Sequence, residues 1–173
     1  MTDEIKIKIV VFGAFGAGKT TLIQTIDPES KRVEANCAGG TTTVGLDFGR
    51  IQTEGRHIHI FGTPGQERFE FAREIIATGM DGAILLVDAT TPPDHFTRHL
   101  SDTLHEAKVP FIVFLNKCDG AGANPAAFTG QFGTSEIHRV SAKDRRQSLD
   151  AVLRFAMALT PNPAAHYHHH HAQ

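Results

Sequence analysis

The chain opens with apolar residues that first alternate with polar ones and then run on without interruption. Ile5, Ile7 and Ile9 alternate with lysines, and residues 9–12 are all apolar. Two more short apolar runs cover residues 83–87 and 109–115, each bounded by polar or glycine residues. Runs of this kind are typical of buried strands in a parallel sheet that helices cover on both faces. We therefore expect such a sheet at the centre of the protein.

Segments with helical spacing lie between and after these strands. Apolar residues recur at steps of three and four over residues 96–104 and 149–159, and residues 67–79 predict a further helix. Residues 44–53 and 57–61, joined by a turn at Glu54-Gly55, predict a hairpin at an exposed margin of the sheet. The glycine-rich stretch 120–133 predicts a loop with one or two weak helical turns. The predicted fold is α/β, with a six-stranded, mostly parallel sheet, one antiparallel edge strand and helices on both faces.

Composition narrows the possible partners. The 173 residues fit one domain, placed at residues 1–160; residues 161–173 hold five of the 11 histidines and are interpreted as a disordered His-rich tail or a tag remnant. The formal net charge of −2 offers no basic field for a nucleic-acid backbone and so argues against nucleic acid as a partner. No apolar run reaches the roughly 20 residues of a membrane span. With two distant cysteines and no signal peptide, we expect a cytoplasmic protein that neither binds nucleic acid nor inserts directly into membranes.

The strongest motif follows the first predicted strand and precedes a predicted helix. It reads Gly13-Ala14-Phe15-Gly16-Ala17-Gly18-Lys19-Thr20, with Thr21 next. This run matches the P-loop pattern in the context that the motif requires. Its glycines let backbone N–H groups turn toward an anion, Lys19 reaches the outer phosphates, and the Thr20 hydroxyl suits Mg²⁺. The motif predicts a nucleoside-triphosphate site of the P-loop NTPase type rather than a structural glycine turn.

Two later motifs decide which base is expected. Asn116-Lys117-Cys118-Asp119 ends the predicted strand 109–115, and Ser141-Ala142-Lys143 ends the next one. Ligands of open α/β sheets bind outside the carboxyl ends of the strands, so these segments and the P-loop can converge. A carboxylate such as Asp119 can accept hydrogen bonds from the N1–H and the exocyclic amine of guanine, whereas adenine has no such donor pair. The motifs therefore favour guanine.

With these motifs in order, the chain resembles the Ras-like small GTPases from Ile5 to about Leu159. The resemblance implies that the protein binds either GTP or GDP, in each case with Mg²⁺. It also implies that Asp119 reads the base, Lys117 lies along the ring and Asn116 ties the loop together. By the same resemblance, the Ala142 N–H meets the guanine oxygen, and Ser141 and Lys143 belong to the nucleotide site.

The resemblance also implies two switch segments. Thr43 corresponds to the threonine that binds Mg²⁺ and senses the γ-phosphate; Thr41, Thr42 and Thr43 leave the register open by one or two residues, and all three can instead be strand formers. The second switch starts at Gly62-Thr63-Pro64. Gly65 would donate its N–H to the γ-phosphate, and Gln66 would orient the attacking water.

Two residues depart from the family pattern. Gly62 stands where most members carry the aspartate that holds Mg²⁺ through water. Asp47 is our candidate substitute, because the hairpin register could bring it near; it can equally be an ordinary outward strand residue. Phe15 stands where better-known members carry glycine, and it either crowds Gln66 and slows hydrolysis or packs away from the site.

These departures look closest to the prokaryotic MglA-like branch, which includes the GTPases of conservon-type operons. That resemblance alone implies a small roadblock-domain regulator or effector as partner. The helix at residues 67–79 has more apolar residues than one buried face needs, which either marks an interaction surface or reflects packing on the sheet.

The sequence thus predicts a signalling switch that binds GTP and GDP with Mg²⁺ and hydrolyses GTP slowly. Lys19 and the loop amides would stabilise charge on the transferring phosphate, and Gln66 would position water. A non-hydrolysing nucleotide-binding scaffold of the same fold is the main alternative. A P-loop ATPase is disfavoured by the two base motifs.

Overall fold

The computed structural model describes residues 4–37, 42–64, 68–133, 136–163 and 165. Over these residues the strands and helices alternate along most of the chain. The strands are β1 (Ile5–Phe12), β2 (Lys31–Cys37), β3 (Thr42–Thr53), β4 (Arg56–Gly62), β5 (Gly82–Asp88), β6 (Phe111–Asn116) and β7 (Ile137–Arg139). The helices are α1 (Lys19–Ile26), α2 (Phe69–Thr78), α3 (His95–Glu106) and α4 (Arg145–Ala158), with a 3₁₀ helix at Pro125–Phe128.

The sheet has the order β2-β3-β4-β1-β5-β6-β7. β1 pairs in parallel with β4 and β5, and β5-β6 and β6-β7 are also parallel. Only the β2-β3 and β3-β4 pairs are antiparallel in the described part of the chain. The mostly parallel sheet expected from the apolar runs is confirmed.

Two details of the predicted sheet were wrong. Over the described residues the sheet has seven strands rather than six, because β2 was not predicted. Residues of β2 alternate, but Val33 and Ala35 are its only apolar ones before Cys37, and both are half-buried. The antiparallel strand is not at the edge either. β3 lies between β2 and β4, and β4 is an internal strand paired with β1.

Alternation along β1 explains how both faces of the sheet are covered. Ile7, Ile9 and Val11 face a core built with α1 and α4, whereas Val10 and Phe12 face a core built with α2 and α3. A strand covered on both sides has no polar face, which is why the sequence pattern becomes continuously apolar there. The expected helices on both faces are confirmed.

The segment after α4 stays in contact with the domain. Asp81, which is 1% exposed, accepts hydrogen bonds from the backbone N–H of Lys8 at 2.7 Å and from that of Asn162. Ala165 is buried beside Gly79. Residues 164 and 166–173 of the predicted tail lie outside the described residues. None of the described helices is long and apolar enough to cross a membrane.

Candidate nucleotide-binding site

The P-loop lies between the carboxyl end of β1 and the first turn of α1. A Cβ on Gly13 would stand 2.5 Å from the backbone oxygen of Leu86, so only glycine lets the loop pass this close to β5. Gly18 caps α1 at φ 104°, and a Cβ there would meet the side chain of Asn116 at 2.6 Å. These two contacts explain two of the glycines in the motif.

Lys19 begins α1 and is 4% exposed. Its ammonium donates to the backbone oxygen of Gly13 and lies 3.4 Å from that of Ala14. The charge is therefore held at the mouth of the loop by backbone carbonyls. A phosphate entering the loop would meet both this ammonium and the N-terminal amides of α1.

Asn116 connects the P-loop to both base motifs. Its side-chain amide donates to the oxygen of Ala17 at 3.0 Å, and its side-chain oxygen accepts from the N–H groups of Lys117 at 3.0 Å and Ala142 at 2.9 Å. The residue is 5% exposed, so these bonds are shielded from water. One asparagine thus joins the three segments that the sequence predicts to converge.

Lys117 and Asp119 stand at the rim of the same site. Lys117 has φ 64°, and its ammonium contacts the Gly16 oxygen at 2.9 Å and Asp88 at 3.0 Å. Asp119 is exposed and lines the cleft. Between them, Cys118 is half-buried, and burial is the main cause that raises the pKa of its thiol, which keeps it protonated at neutral pH.

Together these segments enclose a cleft of about 730 Å³. The predicted site residues that line this cleft are Phe15, Gly16, Ala17, Gly18, Lys19, Thr20, Thr21, Asn116, Lys117, Asp119, Ser141 and Lys143. Ala14 of the P-loop also lines it, as do Thr90 and Gly120, which were not predicted. The position of Thr90 just after a predicted buried strand was the available signal, since the carboxyl ends of parallel strands share one edge.

Asp47 lies on β3 next to the P-loop threonine. Its carboxylate accepts a 2.6 Å hydrogen bond from the Thr20 hydroxyl. The register pairs Asp47 with Gly62 on β4, and a Cβ on Gly62 would lie 3.7 Å from the nearer Asp47 carboxylate oxygen. The carboxylate that Gly62 lacks is therefore present on the neighbouring strand.

This arrangement fits Mg²⁺. Mg²⁺ in nucleotide sites is usually held by one or two protein oxygens together with phosphate oxygens rather than by a cage of protein ligands. No group of three or more His, Cys, Asp or Glu suited to a metal ion occurs among the described residues. One carboxylate and one hydroxyl in contact beside the P-loop, Asp47 and Thr20, form a suitable oxygen pair.

Other predicted site residues lie outside the cleft or outside the described chain. Thr43 stands in β3, with its hydroxyl 3.4 Å from the side-chain oxygen of Asn36, and it does not line the cleft. The Ala142 N–H is directed at Asn116, so its contact with a guanine oxygen stays a prediction. Gly65 and Gln66 fall outside the described residues.

Phe15 is 77% exposed at the edge of the cleft. The ring is not buried in either core. The choice between crowding of the γ-phosphate and packing away from it therefore depends on how the ring lies when a nucleotide is bound.

Packing accounts for the apolar residues of α2. Ala72 and Ile76 are buried, and Phe71 and Ile75 pack against Val44 and Leu46 on β3. Phe69 stacks on His99 of α3, with ring centroids 3.7 Å apart. Of the two explanations for this helix, the described contacts support packing within the domain.

Comparison with known proteins identifies the family of the chain. Residues 4–156 match the family model described as the elongation factor Tu GTP binding domain. The chain is 34% identical over 133 residues to the uncharacterized protein MJ1339 of Methanocaldococcus jannaschii, covering 77% of this chain and 78% of that one. It is 36% identical over 142 residues to translation initiation factor IF-2 of Ureaplasma parvum, covering 78% of this chain but 23% of the factor.

Solved structures show the same fold. The G domain of the T. maritima FeoB iron transporter aligns with a TM-score of 0.66 and 20% identity, covering 88% of this chain and 97% of that one. Elongation factor SelB from Methanococcus maripaludis, solved with a GTP analogue, aligns with a TM-score of 0.67 and 20% identity, covering 94% of this chain and 36% of that one.

The protein is a P-loop GTP-binding domain. It belongs to the family of the elongation factor Tu GTP binding domain. The prediction of a GTP-binding P-loop protein is confirmed at this level, whereas the Ras-like and MglA-like assignments stay predictions. The chain spans about a quarter or less of the initiation factors that it matches.

Proposed function

We propose that this chain is a GTP-binding molecular switch that binds GTP and GDP with Mg²⁺ and hydrolyses GTP slowly. The observation that carries the proposal is the Asn116 network, which holds the P-loop, the Lys117–Asp119 loop and the Ala142 loop around one cleft. A site with both a phosphate loop and a base-reading carboxylate suits a guanine nucleotide.

In this proposal the phosphates lie along the P-loop. The α1 N-terminal amides and the Lys19 ammonium compensate their charge, and they stabilise the further charge that develops on the transferring group. Bound Mg²⁺ would supply positive charge that offsets the negative charge of the phosphates. Thr20 and Asp47 would hold it, with Thr43 joining when the first switch closes. Gln66 would orient the attacking water.

The switch output would be a change in the order of the two switch segments when the γ-phosphate is lost. A partner protein would read this change. A small roadblock-domain regulator or effector is the partner class that the MglA-like resemblance implies. IF-2 and SelB are named as translation factors, so a role beside the translation machinery is a second possibility for the partner.

The binding test uses fluorescent GDP and a non-hydrolysable GTP analogue, with Mg²⁺ or EDTA, challenged by excess ATP. We expect displacement by unlabelled GDP but not by ATP, and weaker binding in EDTA. An Asp119→Asn variant sharpens the test. It should lose GDP affinity and gain affinity for xanthine nucleotides, because xanthine carries an oxygen where guanine carries the exocyclic amine. Equal displacement by ATP would contradict guanine selection.

A non-hydrolysing scaffold is the second candidate, and the exposed Phe15 at the cleft edge is the observation in its favour. Multiple-turnover phosphate release separates the two. Sustained release above the buffer rate supports the switch, and binding without release supports the scaffold.

A further inference from the structure

Asp88 is a nearly buried acidic residue beside the nucleotide cleft. It is the last residue of β5, and its side chain is 14% exposed. One carboxylate oxygen accepts hydrogen bonds from Thr90, at 2.8 Å from its N–H and 2.5 Å from its hydroxyl. The other oxygen therefore stays available for the group that approaches from the base-binding loop.

That group is Lys117. Its ammonium lies 3.0 Å from the second Asp88 oxygen and 2.9 Å from the backbone oxygen of Gly16 in the P-loop. Three segments that are distant in sequence thus meet at one ammonium group. Because Lys117 is 42% exposed and has a long flexible side chain, it would sample many rotamers without these two acceptors.

The carboxylate is suited to hold a cation at neutral pH. Burial raises the pKa of Asp88, but the hydrogen bonds from Thr90 and the Lys117 ammonium outweigh this and hold the pKa below its usual range. Asp88 is therefore ionised, and the bond to Lys117 joins two full charges at hydrogen-bond distance.

We propose that Asp88 is a positioning residue that fixes Lys117 across the cleft and so clamps the base-binding loop onto the P-loop. This inference rests on the proposed binding of guanine nucleotides. A lysine held in place before binding spares the nucleotide the entropy cost of ordering it, and it slows nucleotide release. Thr90 acts in turn on Asp88 by orienting its carboxylate.

A structural alternative has to be separated from this role, since Asp88 and Thr90 also form a turn at the end of β5. Asp88→Asn is the variant of choice. Asparagine keeps an oxygen for the two Thr90 donors, but it presents an NH₂ group to Lys117 in place of an anion. We expect fluorescent GDP to dissociate about tenfold faster from this variant than from the wild type.

The chain offers a matched control in Asp94, the N-cap of α3. Its carboxylate also accepts two bonds from one threonine, from the N–H of Thr97 at 2.6 Å and from the Thr97 hydroxyl at 3.0 Å, one on each oxygen. In the described part of the chain, no lysine is hydrogen-bonded to it. Asn is as good an N-cap as Asp. Asp94→Asn should leave the dissociation rate within twofold of the wild type.

A double-mutant cycle with Lys117→Met identifies the route of the effect. If Asp88 acts through Lys117, Asp88→Asn has no further effect on GDP dissociation in the Lys117→Met background. A turn-stabilising role would instead give the same factor in both backgrounds. As a readout that needs no Lys117 variant, the difference between wild type and Asp88→Asn should shrink in 1 M NaCl, because salt screens the ion pair.

An unchanged dissociation rate in Asp88→Asn, or an equal effect in both backgrounds, overturns the positioning role while the wild type still binds GDP. Failure of the wild type to bind guanine nucleotides overturns the proposed function, and the positioning role with it. One assay thus distinguishes the two failures, because the first is measured on the variants and the second on the wild type.

Discussion

Asp47 and Gly62 face each other across the β3-β4 ladder, and the Asp47 carboxylate accepts a 2.6 Å hydrogen bond from the Thr20 hydroxyl. A side chain on Gly62 would point toward the same spot, since its Cβ would lie 3.5 Å from the Asp47 Cβ. The described geometry therefore supports the hypothesis that Asp47 takes the place of the aspartate that is missing at position 62.

The Asp47→Ala variant should lose most of the Mg²⁺ dependence of nucleotide binding. Removing the carboxylate leaves Thr20 without its acidic neighbour, so we expect GDP affinity in Mg²⁺ to fall at least about tenfold, toward the value in EDTA. Titration of fluorescent GDP at several Mg²⁺ concentrations measures this. Asp102→Ala, on an exposed position of α3, is the control. Full Mg²⁺-dependent affinity in Asp47→Ala would show that Asp47 is only a strand residue.

Returning an aspartate to position 62 should not improve the site while Asp47 is present. The new Cβ would approach the Ile23 Cδ1 atom at 2.6 Å in the core, and two carboxylates would face each other across the strands. We expect Gly62→Asp to lower the free energy of unfolding by about 1–3 kcal/mol. Urea denaturation measures it.

The exchange variant, Asp47→Ser with Gly62→Asp, tests whether a carboxylate at position 62 can replace the one at position 47. One carboxylate then remains, on the opposite strand. We expect it to recover part of the Mg²⁺ dependence that Asp47→Ser alone loses. No recovery in a folded exchange variant would mean that the two strand positions are not equivalent for the metal.

Loss of the Asn116 side chain should affect both stability and binding. Asn116→Ala leaves the buried Ala142 N–H without its acceptor and frees the Ala17 oxygen, and we expect a loss of about 2 kcal/mol in the free energy of unfolding. GDP dissociation should also accelerate, since the three loops are no longer joined. Thermal and urea unfolding with and without GDP check both effects. An unchanged dissociation rate would show that the loops hold their positions without Asn116.

Removing the Phe15 ring should leave stability almost unchanged, because the side chain is 77% exposed. If the ring crowds the γ-phosphate, Phe15→Gly raises the single-turnover rate of GTP hydrolysis. The measurement compares the two rates at saturating GTP, with the unfolding midpoint as a control for folding. Equal rates would count against crowding and favour a ring that lies away from the phosphate.

Acid should weaken the protein partly through Asp88. Its pKa is lowered in the fold, so its contribution to stability is complete above the unfolded pKa of about 3.9 and is lost as the pH falls through the lower folded value. We expect the wild type to lose more stability than Asp88→Asn between about pH 4 and pH 2. Urea midpoints across this range measure it, and parallel curves for the two proteins would contradict the prediction.

Local sequence patterns predicted much of the fold and much of the candidate site. Continuous apolar runs reveal β1, β5 and β6 because strands covered on both faces have no polar side. The P-loop and the Asn116–Asp119 motif were readable because their chemistry depends on neighbouring residues along the chain. The pattern does not reveal the edge strand β2, because an exposed strand needs few apolar residues. Without β2, the strand β3 becomes the outermost strand of the predicted sheet.

Long-range relationships were decided only by the tertiary structure. Nothing in the local pattern at Asp88 or Thr90 indicates contact with Lys117, which lies 29 positions after Asp88, and only the β3-β4 register sets Asp47 beside Thr20. The physical reason is that motifs record contacts within a few residues, whereas register and side-chain direction follow from the packing of the whole sheet. Sequence alone was thus sufficient to predict a guanine-nucleotide fold, and the three-dimensional arrangement shows which carboxylates lie beside the P-loop and the base-binding loop.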